Sequence, residues 1–314
     1  MGNQKKKTIL VTGALGHIGS RLIREFSPEL VSKVVIVDNL LTQRYSSLFN
    51  LPTVIQYEFH EDDIRTADFS KYLKDVGAVI HLAAITDAPS SVDKKEETFE
   101  VNLGGTQRLA DACLSTGTPL LFPSTTSVYG SQANLVDENC EELKPQSPYA
   151  ESKLKAEEYL KSLKSKGLKF VICRFGTIFG YSIGMRFHTA VNKFTWQAIN
   201  GIPLTVWKTA WEQKRPYLDL ADCVKAVNLI LEKNIFDGEV YNILTSNFTV
   251  KNIVENIKKF LPNLQISYVN SAIMNQLSYD VEDTKFKSLG FVLSGNLEKG
   301  IKETITQLGG IFKV

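Results

Sequence analysis

Through its first half the chain alternates short apolar runs with helix-like stretches. Residues 8–12, 34–37, 56–59, 78–82, 120–124 and 169–174 read as strands. Residues 17–26, 68–74, 97–114 and 149–166 read as helices between them. Strand and helix in repeated alternation predict an α/β architecture, a parallel sheet covered by helices on both faces. Beyond residue 174 the rhythm changes. Residues 187–200 and 220–231 read as helices, WKTAWEQKR as a tryptophan-bearing loop, and 239–242 as a late strand able to return to the sheet. The tail from residue 250 reads as helix, strand, helix. The pattern divides into a sheet domain over residues 1–175, rejoined by 215–245, and a smaller α+β lobe built from 176–214 and 246–314.

Composition narrows the class without naming a function. A chain of 314 residues with 43% hydrophobic and 22% charged content is ordinary for a soluble globular protein. A formal net charge of +2 expresses no preference for acidic partners. Lys5, Lys6 and Lys7 lead straight into a strand and read as a solvated N-terminus, so neither nucleic acid nor membrane is expected as a partner. No apolar run is long enough to span a bilayer, and the start lacks the apolar middle of a signal peptide. Cys113, Cys140, Cys173 and Cys223 are scattered, with no His cluster nearby. That pattern fits free thiols in the cytoplasm, with no metal site.

The sharpest local signal is ILVTGALGHIGSRLIREF. It sets Gly13, Gly16 and Gly19, with His17 and Ile18 between the last two, after a strand and at the opening of a helix. Glycines at this spacing allow a tight turn and close approach of backbone to a pyrophosphate, which then sits on helix N–H groups. The next strand ends VVIVD, so Asp38, followed by Asn39, stands where a carboxylate grips the adenosine ribose hydroxyls. An acid there repels a 2′-phosphate, and the nearest guanidinium, Arg44, lies in a loop, so NAD is favoured over NADP. HEDDIR places Asp63 and Ile64 to touch the adenine, and HLAA ends a strand with Leu82, Ala83 and Ala84 beside the cofactor. The whole predicts a Rossmann-type doubly wound sheet.

Tyr149 and Lys153 are four residues apart in SPYAESKLKAEEYL and share a helix face. A phenol titrates near ~10, and a neighbouring ammonium lowers that value toward the range of a useful base. Together with DDIR, HLAA, VNLGGT and PSTTSVYG, the pair resembles the extended short-chain dehydrogenase/reductases. Within them the chain is similar to the NAD-dependent nucleotide-sugar epimerase/dehydratase family, from Thr8 to about Gly290.

The resemblance implies that Thr125 hydrogen-bonds the sugar oxygen being oxidised and that Tyr149 is the base. Lys153 would bind the nicotinamide ribose, and Asn102 would support the network at the cofactor. Ser124 would line the sugar pocket, and Arg215 would clamp the diphosphate. Asp222 matches a structural acid and reads as a helix cap. Where many members carry an asparagine this chain has Thr177, as in the subgroup acting on UDP-uronic acids, and Arg186 follows as a charge for a carboxylate. Related dehydratases place an Asp–Glu pair after the catalytic threonine; here Thr126 and Ser127 stand instead, which argues against 4,6-dehydration. NQLSYDVEDTKFKSLGF matches a family segment through Asp283, Lys285 and Gly290, without its usual upstream arginine.

The resulting expectation is an NAD-dependent nucleotide-sugar 4-epimerase working through a transient 4-keto intermediate, with UDP-hexose or UDP-uronate as substrate. The alternatives are a ketoreductase, decarboxylase or dehydratase on the same scaffold, or a non-catalytic NAD-binding protein. A homodimer joined through the helices at 97–114 and 149–166 is expected from the resemblance alone.

Overall fold

The computed structural model describes residues 6–132, 135–270 and 278–309. Lys5 of the basic run and residues 275–277 of the C-terminal motif lie outside the described residues. The first half runs β1 (Lys7–Thr12), α1 (His17–Leu22), β2 (Val31–Asp38), β3 (Gln56–Glu61), β4 (Ala78–His81), α2 (Lys95–Phe99) and α3 (Gly105–Thr116). It continues with β5 (Leu120–Thr125), α4 (Pro148–Ser162) and β6 (Phe170–Phe175). The second half adds β7 (Thr177–Phe179), α5 (Ala190–Ile199), β8 (Leu204–Trp207), β9 (Lys214–Asp219) and α6 (Leu220–Lys233). The remaining elements are β10 (Val240–Ile243), β11 (Ser246–Thr249), α7 (Val250–Lys258), β12 (Ile266–Val269), α8 (Thr284–Lys287) and α9 (Leu297–Leu308).

Seven strands form one sheet in the order β10-β6-β5-β4-β1-β2-β3, every pairing parallel. This is a doubly wound Rossmann-type order, and the late strand expected near residue 240 does return, beside β6. Alternation along β1 explains the two cores. Ile9 and Val11 face one cluster with Leu22 of α1 and Val227 of α6, whereas Leu10 faces another with Leu109 of α3 and Leu160 of α4. A third cluster joins Phe179, Phe194, Tyr217, Ile253 and Ile301, around two small sheets, β11-β9-β7 and β12-β8.

Several helices differ from the periodicity. Only residues 17–22 of the expected helix 17–26 are α-helical; past Leu22 the bonds tighten to Arg24 N–Arg21 O and Glu25 N–Leu22 O as the chain approaches Ser27-Pro28. The stretch 68–74 holds a single 3₁₀ turn, Phe69–Lys71, capped by Asp68, whose carboxylate accepts from the Ser70 N–H at 3.2 Å. The helix expected over 97–114 is interrupted by a π-turn, Glu100–Gly104, which turns Asn102 inward. WKTAWEQKR is a loop only in its middle, since Trp207 ends β8 and Lys214 opens β9. The catalytic-motif helix α4 starts with Pro148 behind an Ser147 cap, whose hydroxyl accepts from the Ala150 N–H at 3.2 Å.

Candidate active site

The strand order reverses between β1 and β4, the position at which doubly wound sheets bind ligands. Gly13 makes the first turn there with φ +66°, and a Cβ on it would lie 2.5 Å from the Ala83 backbone nitrogen. A Cβ on Gly19 would lie 2.5 Å from the Ala14 carbonyl oxygen, so α1 packs directly on the turn. Gly16 lies between them, at the N-cap of α1, and Ile18 packs against the core. At the end of β2, Asp38 Oδ2 accepts from the Leu15 N–H at 3.1 Å and Oδ1 from the Leu40 N–H at 3.0 Å. Each oxygen keeps a lone pair for a ribose hydroxyl. A cradle that any Cβ would fill, with a carboxylate fixed beside it, fits an adenine dinucleotide.

Neighbouring residues are tied together rather than loosely arranged. Asn39 donates to Asp63 at 2.9 Å, and the Arg65 guanidinium holds the Asp63 carboxyl well below the usual range. The Ile64 side chain is buried in the core, against Gly105. Leu82 N–H donates to Thr12 O at 2.9 Å and Ala83 N–H to Thr12 Oγ1 at 3.3 Å; Ala84 follows, partly buried. Thr12 Oγ1 lies 2.7 Å from His81 Nδ1, and His81 Nε2 lies 3.0 Å from Thr106 Oγ1. Because Thr106 donates its own proton to Asn102 O, it accepts from His81, which is therefore the Nε2–H tautomer. Burial, assisted by the charge of Lys153, pushes this imidazole down to about 3.

The tyrosine–lysine helix closes the other side. Thr125 ends β5, its hydroxyl accepting from the Ser127 N–H at 3.1 Å and drawing the Tyr149 phenol pKa down. Tyr149 stands in the first turn of α4, its N–H donating to buried Ser91 Oγ at 3.2 Å. Asn102 accepts from the Ile85 N–H at 2.8 Å, donates to Ile85 O at 2.9 Å and to Ser152 Oγ at 3.1 Å. Ser152 donates in turn to Tyr149 O at 2.8 Å, so Asn102 locks the strand β4 exit to the start of α4.

The electrostatics depart from the sequence expectation. Burial raises the Tyr149 phenol to about 12, and Tyr279 adds to the rise; the downward influences are the Thr125 hydroxyl and Arg186. Lys153 turns instead toward Phe122, its Nζ 4.3 Å from the ring centroid, and burial pushes it down to about 7. Sharing a helix face did not bring its charge onto the phenol.

Arg186 is the cation that acts on the phenol. It donates to Thr86 Oγ1 at 2.6 Å and feels both Asp87 and Tyr149. Its segment is stitched to α1: Ser182 Oγ donates to His17 O at 2.8 Å, Gly184 N–H to Ser20 Oγ at 3.0 Å, and His17 Nε2 lies 2.8 Å from Gly180 O. The glycine turn and the Arg186 side of the site are thus tied together. Thr177 opens β7, in register with Tyr217 of β9; Arg215 lies two residues earlier on β9, where its charge reaches Tyr217 and Tyr279. Thr126 is buried, donating to Phe175 O at 3.3 Å. Ser124 is also buried and donates to Glu157 at 2.5 Å. Sequence reasoning missed Thr86, Asp87, Ser91, Glu157, Arg174 and Tyr279; of these only the polar run TDAPSS after HLAA carried a visible signal.

Asp222 is not the helix cap. Asp219 caps α6 by accepting from the Ala221 N–H at 2.8 Å, because the cap stands one residue before the helix. Asp222 lies inside the first turn, buried, accepting from Ser294 N–H and Gly295 N–H, both at 2.9 Å, and so ties the C-terminal segment to α6. Lys285 ties the segment to Glu239 at 3.2 Å, whereas Asp283 pairs with Lys287 at 2.7 Å within the α8 segment. Cys113, Cys140, Cys173 and Cys223 are free thiols. Among the described residues no helix is long and apolar enough to cross a membrane, and no His/Cys/Asp/Glu group is arranged to hold a metal.

A glycine turn at the switch point of such a sheet, facing a Thr–Tyr pair at the head of a helix, defines a dinucleotide-dependent fold of the extended short-chain type. The model of the NAD dependent epimerase/dehydratase family matches residues 9–243, and the chain belongs to that family; its cofactor is NAD. The chain is 30% identical to the uncharacterized UDP-glucose epimerase YtcB of Bacillus subtilis (strain 168), over 97% of this chain and 99% of that one. It is 31% identical to a trifunctional UDP-glucose 4,6-dehydratase/UDP-4-keto-6-deoxy-D-glucose 3,5-epimerase/UDP-4-keto-L-rhamnose-reductase of Arabidopsis thaliana, matching 97% of this chain but only 48% of that protein. Among solved structures, UDP-glucuronic acid 4-epimerase from Bacillus cereus, in complex with UDP-glucuronic acid and NAD, superposes with a TM-score of 0.86 at 28% identity, covering 96% of this chain and 99% of that one.

Proposed function

We propose that the protein is an NAD-dependent 4-epimerase of UDP-sugars, with a UDP-uronate favoured over a UDP-hexose. The observation that carries this reading is the placement of Tyr149 at the head of α4, with the Thr125 hydroxyl at the end of β5 and the Arg186 charge both drawing its phenol pKa down. Thr125 orients the sugar C4 hydroxyl, and Tyr149 takes its proton and later returns it. NAD, when bound, supplies the acceptor and donor of the hydride at C4. Gly13, Gly16, Gly19 and Asp38 are the residues that would hold it, with His17, Ile18, Asn39, Asp63, Ile64, Leu82, Ala83, Ala84, Asn102 and Lys153 around it. Arg186 and Thr177 meet the uronate carboxylate, which keeps it ionised and engaged while C4 is at the ketone level. Arg215 takes the diphosphate, beside the substrate lobe that we assign to residues 176–214 and 246–314. Thr126 and Ser127 offer no acid–base pair for eliminating water, which favours epimerisation over dehydration.

The relative from Bacillus cereus, solved with UDP-glucuronic acid, supports the choice of uronate. The free thiols support a cytoplasmic location, and α2, α3 and α4, which pack side by side, are the faces we assign to a homodimer. The test is incubation with UDP-glucuronate and UDP-glucose, read by NMR for inversion at C4. Inversion without accumulated NADH or CO₂ is expected; net reduction of NAD, loss of CO₂ or a 4-keto-6-deoxy product would overturn the assignment in favour of a dehydrogenase, a decarboxylase or a dehydratase.

A further inference from the structure

We propose that Glu157 is a positioning residue for this chemistry: within the buried layer under α4 it places a counter-charge one helical turn from Lys153 and anchors the end of β5 that carries Thr125. The inference rests on reading Lys153 and Thr125 as site residues.

Glu157 follows Lys153 by one helical turn and is fully buried, as is its partner Arg174 at 2% exposure. Arg174 Nη2 donates to Glu157 Oε2 at 2.7 Å and its Nε to Oε1 at 3.0 Å. Ser124, the residue before Thr125, donates to the same Oε1 at 2.5 Å. Ser124 and Arg174 are register partners across β5 and β6, so one carboxylate clamps two adjacent strand ends. Arg174 also stacks on Tyr129, with Cζ 4.9 Å from the ring centroid, and Tyr129 donates to Asn242 at 2.9 Å. The network is thus fixed from β10 to α4.

A buried ion pair adds little to stability compared with apolar residues of the same volume, because both charges lose their hydration. Its presence beneath α4 calls for another role, and Lys153 provides one. The groups acting on Lys153 are the Phe122 ring from β5, neutral His81 from β4, and Glu157 from its own helix. Beyond Glu157 lie Arg174 from β6 and Lys161, whose Nζ is 3.7 Å from the carboxylate. Among these Glu157 is the one anion, and it opposes the burial that pushes Lys153 down to about 7.

The test follows the NAD-bound enzyme by NMR of lysine labelled at the ε position, with the Lys153 signal assigned from a Lys153→Arg variant, and by the pH dependence of kcat. Glu157→Gln should move the Lys153 titration about 1 pH unit lower. Arg174→Gln should move it in the opposite direction, because the carboxylate then acts on the ammonium unopposed. The kcat profile should move its limb near neutrality the same way as the NMR titration. A merely structural pair would lower the melting temperature in both variants and leave the Lys153 titration where it was; that result overturns the proposal. If Glu157→Gln does not fold, Arg174→Gln alone decides, and an unmoved Lys153 titration there overturns the proposal equally. Inactivity of the wild type on every UDP-sugar would sink the epimerase reading alone, since the NMR titration needs no turnover.

Discussion

Replacing Gly13 by alanine tests the cofactor cradle at its tightest point. The position has φ +66°, a left-handed conformation costing a non-glycine residue about 1–2 kcal/mol. The new methyl would also meet the Ala83 backbone at 2.5 Å from N and 2.6 Å from Cα, and backbone has no rotamer with which to yield. Overpacking of this kind costs about 1–3 kcal/mol, so the total is roughly 2–5 kcal/mol. At about 2–4 °C per kcal/mol the melting temperature should fall by roughly 4–20 °C. The strain has one outlet, separation of the turn from the β4 exit, and those are the two walls of the proposed dinucleotide site. The Kd for NAD, measured by calorimetry, should therefore rise at least about tenfold, or about 1.4 kcal/mol. Gly117→Ala is the control, since it shares a positive φ, +69°, yet its Cβ meets nothing within 4 Å. It should lose only the backbone contribution and bind NAD as the wild type does. A Gly13→Ala protein with wild-type NAD affinity would refute the placement of the dinucleotide at this turn.

Arg186→Gln should raise KM for UDP-glucuronate about 10–100-fold, the value of a charge-assisted contact, while changing KM for UDP-glucose far less; equal effects on both would remove Arg186 from carboxylate recognition. The same variant should shift the activity profile toward higher pH, because Tyr149 loses a cation that lowers its pKa. His81 is buried neutral with its pKa near 3, below the ~6.5 of the unfolded chain, so the unfolded state binds the extra proton first and stability falls as pH drops from 6.5 toward 3. Urea melts at pH 7 and pH 5 should differ by about 2 kcal/mol from this residue, and His81→Gln should lessen the difference by that amount; an unchanged difference would contradict the buried neutral imidazole.

Much of this arrangement was legible in the sequence because its signals are local. A glycine must stand where φ is positive and backbones touch, so Gly13 and Gly19 announce the turn, and Asp38 follows a β-branched run that can only be a buried strand. The late strand at Val240–Ile243 was found for the same reason. What escaped depends on contacts distant in sequence. Burial, which no spacing reveals, outweighs any help that Lys153 gives Tyr149, and the cation that does act, Arg186, comes from a segment 37 residues later (186 − 149). Glu157 and Arg174 carry no signal of their pairing in the sequence; strand register sets Arg174 beside Ser124, and both meet the Glu157 carboxylate. The π-turn at Glu100–Gly104 leaves the sequence pattern helical while turning Asn102 toward Ile85.

The most direct measurement of the central claim uses UDP-glucuronate deuterated at C4, with wild type and Tyr149→Phe compared at equal NAD occupancy. The wild type should yield the C4 epimer with deuterium still on C4, and Tyr149→Phe should bind NAD normally but lose turnover by several orders of magnitude. Undiminished turnover in the phenylalanine variant, or deuterium lost to solvent, would contradict the account.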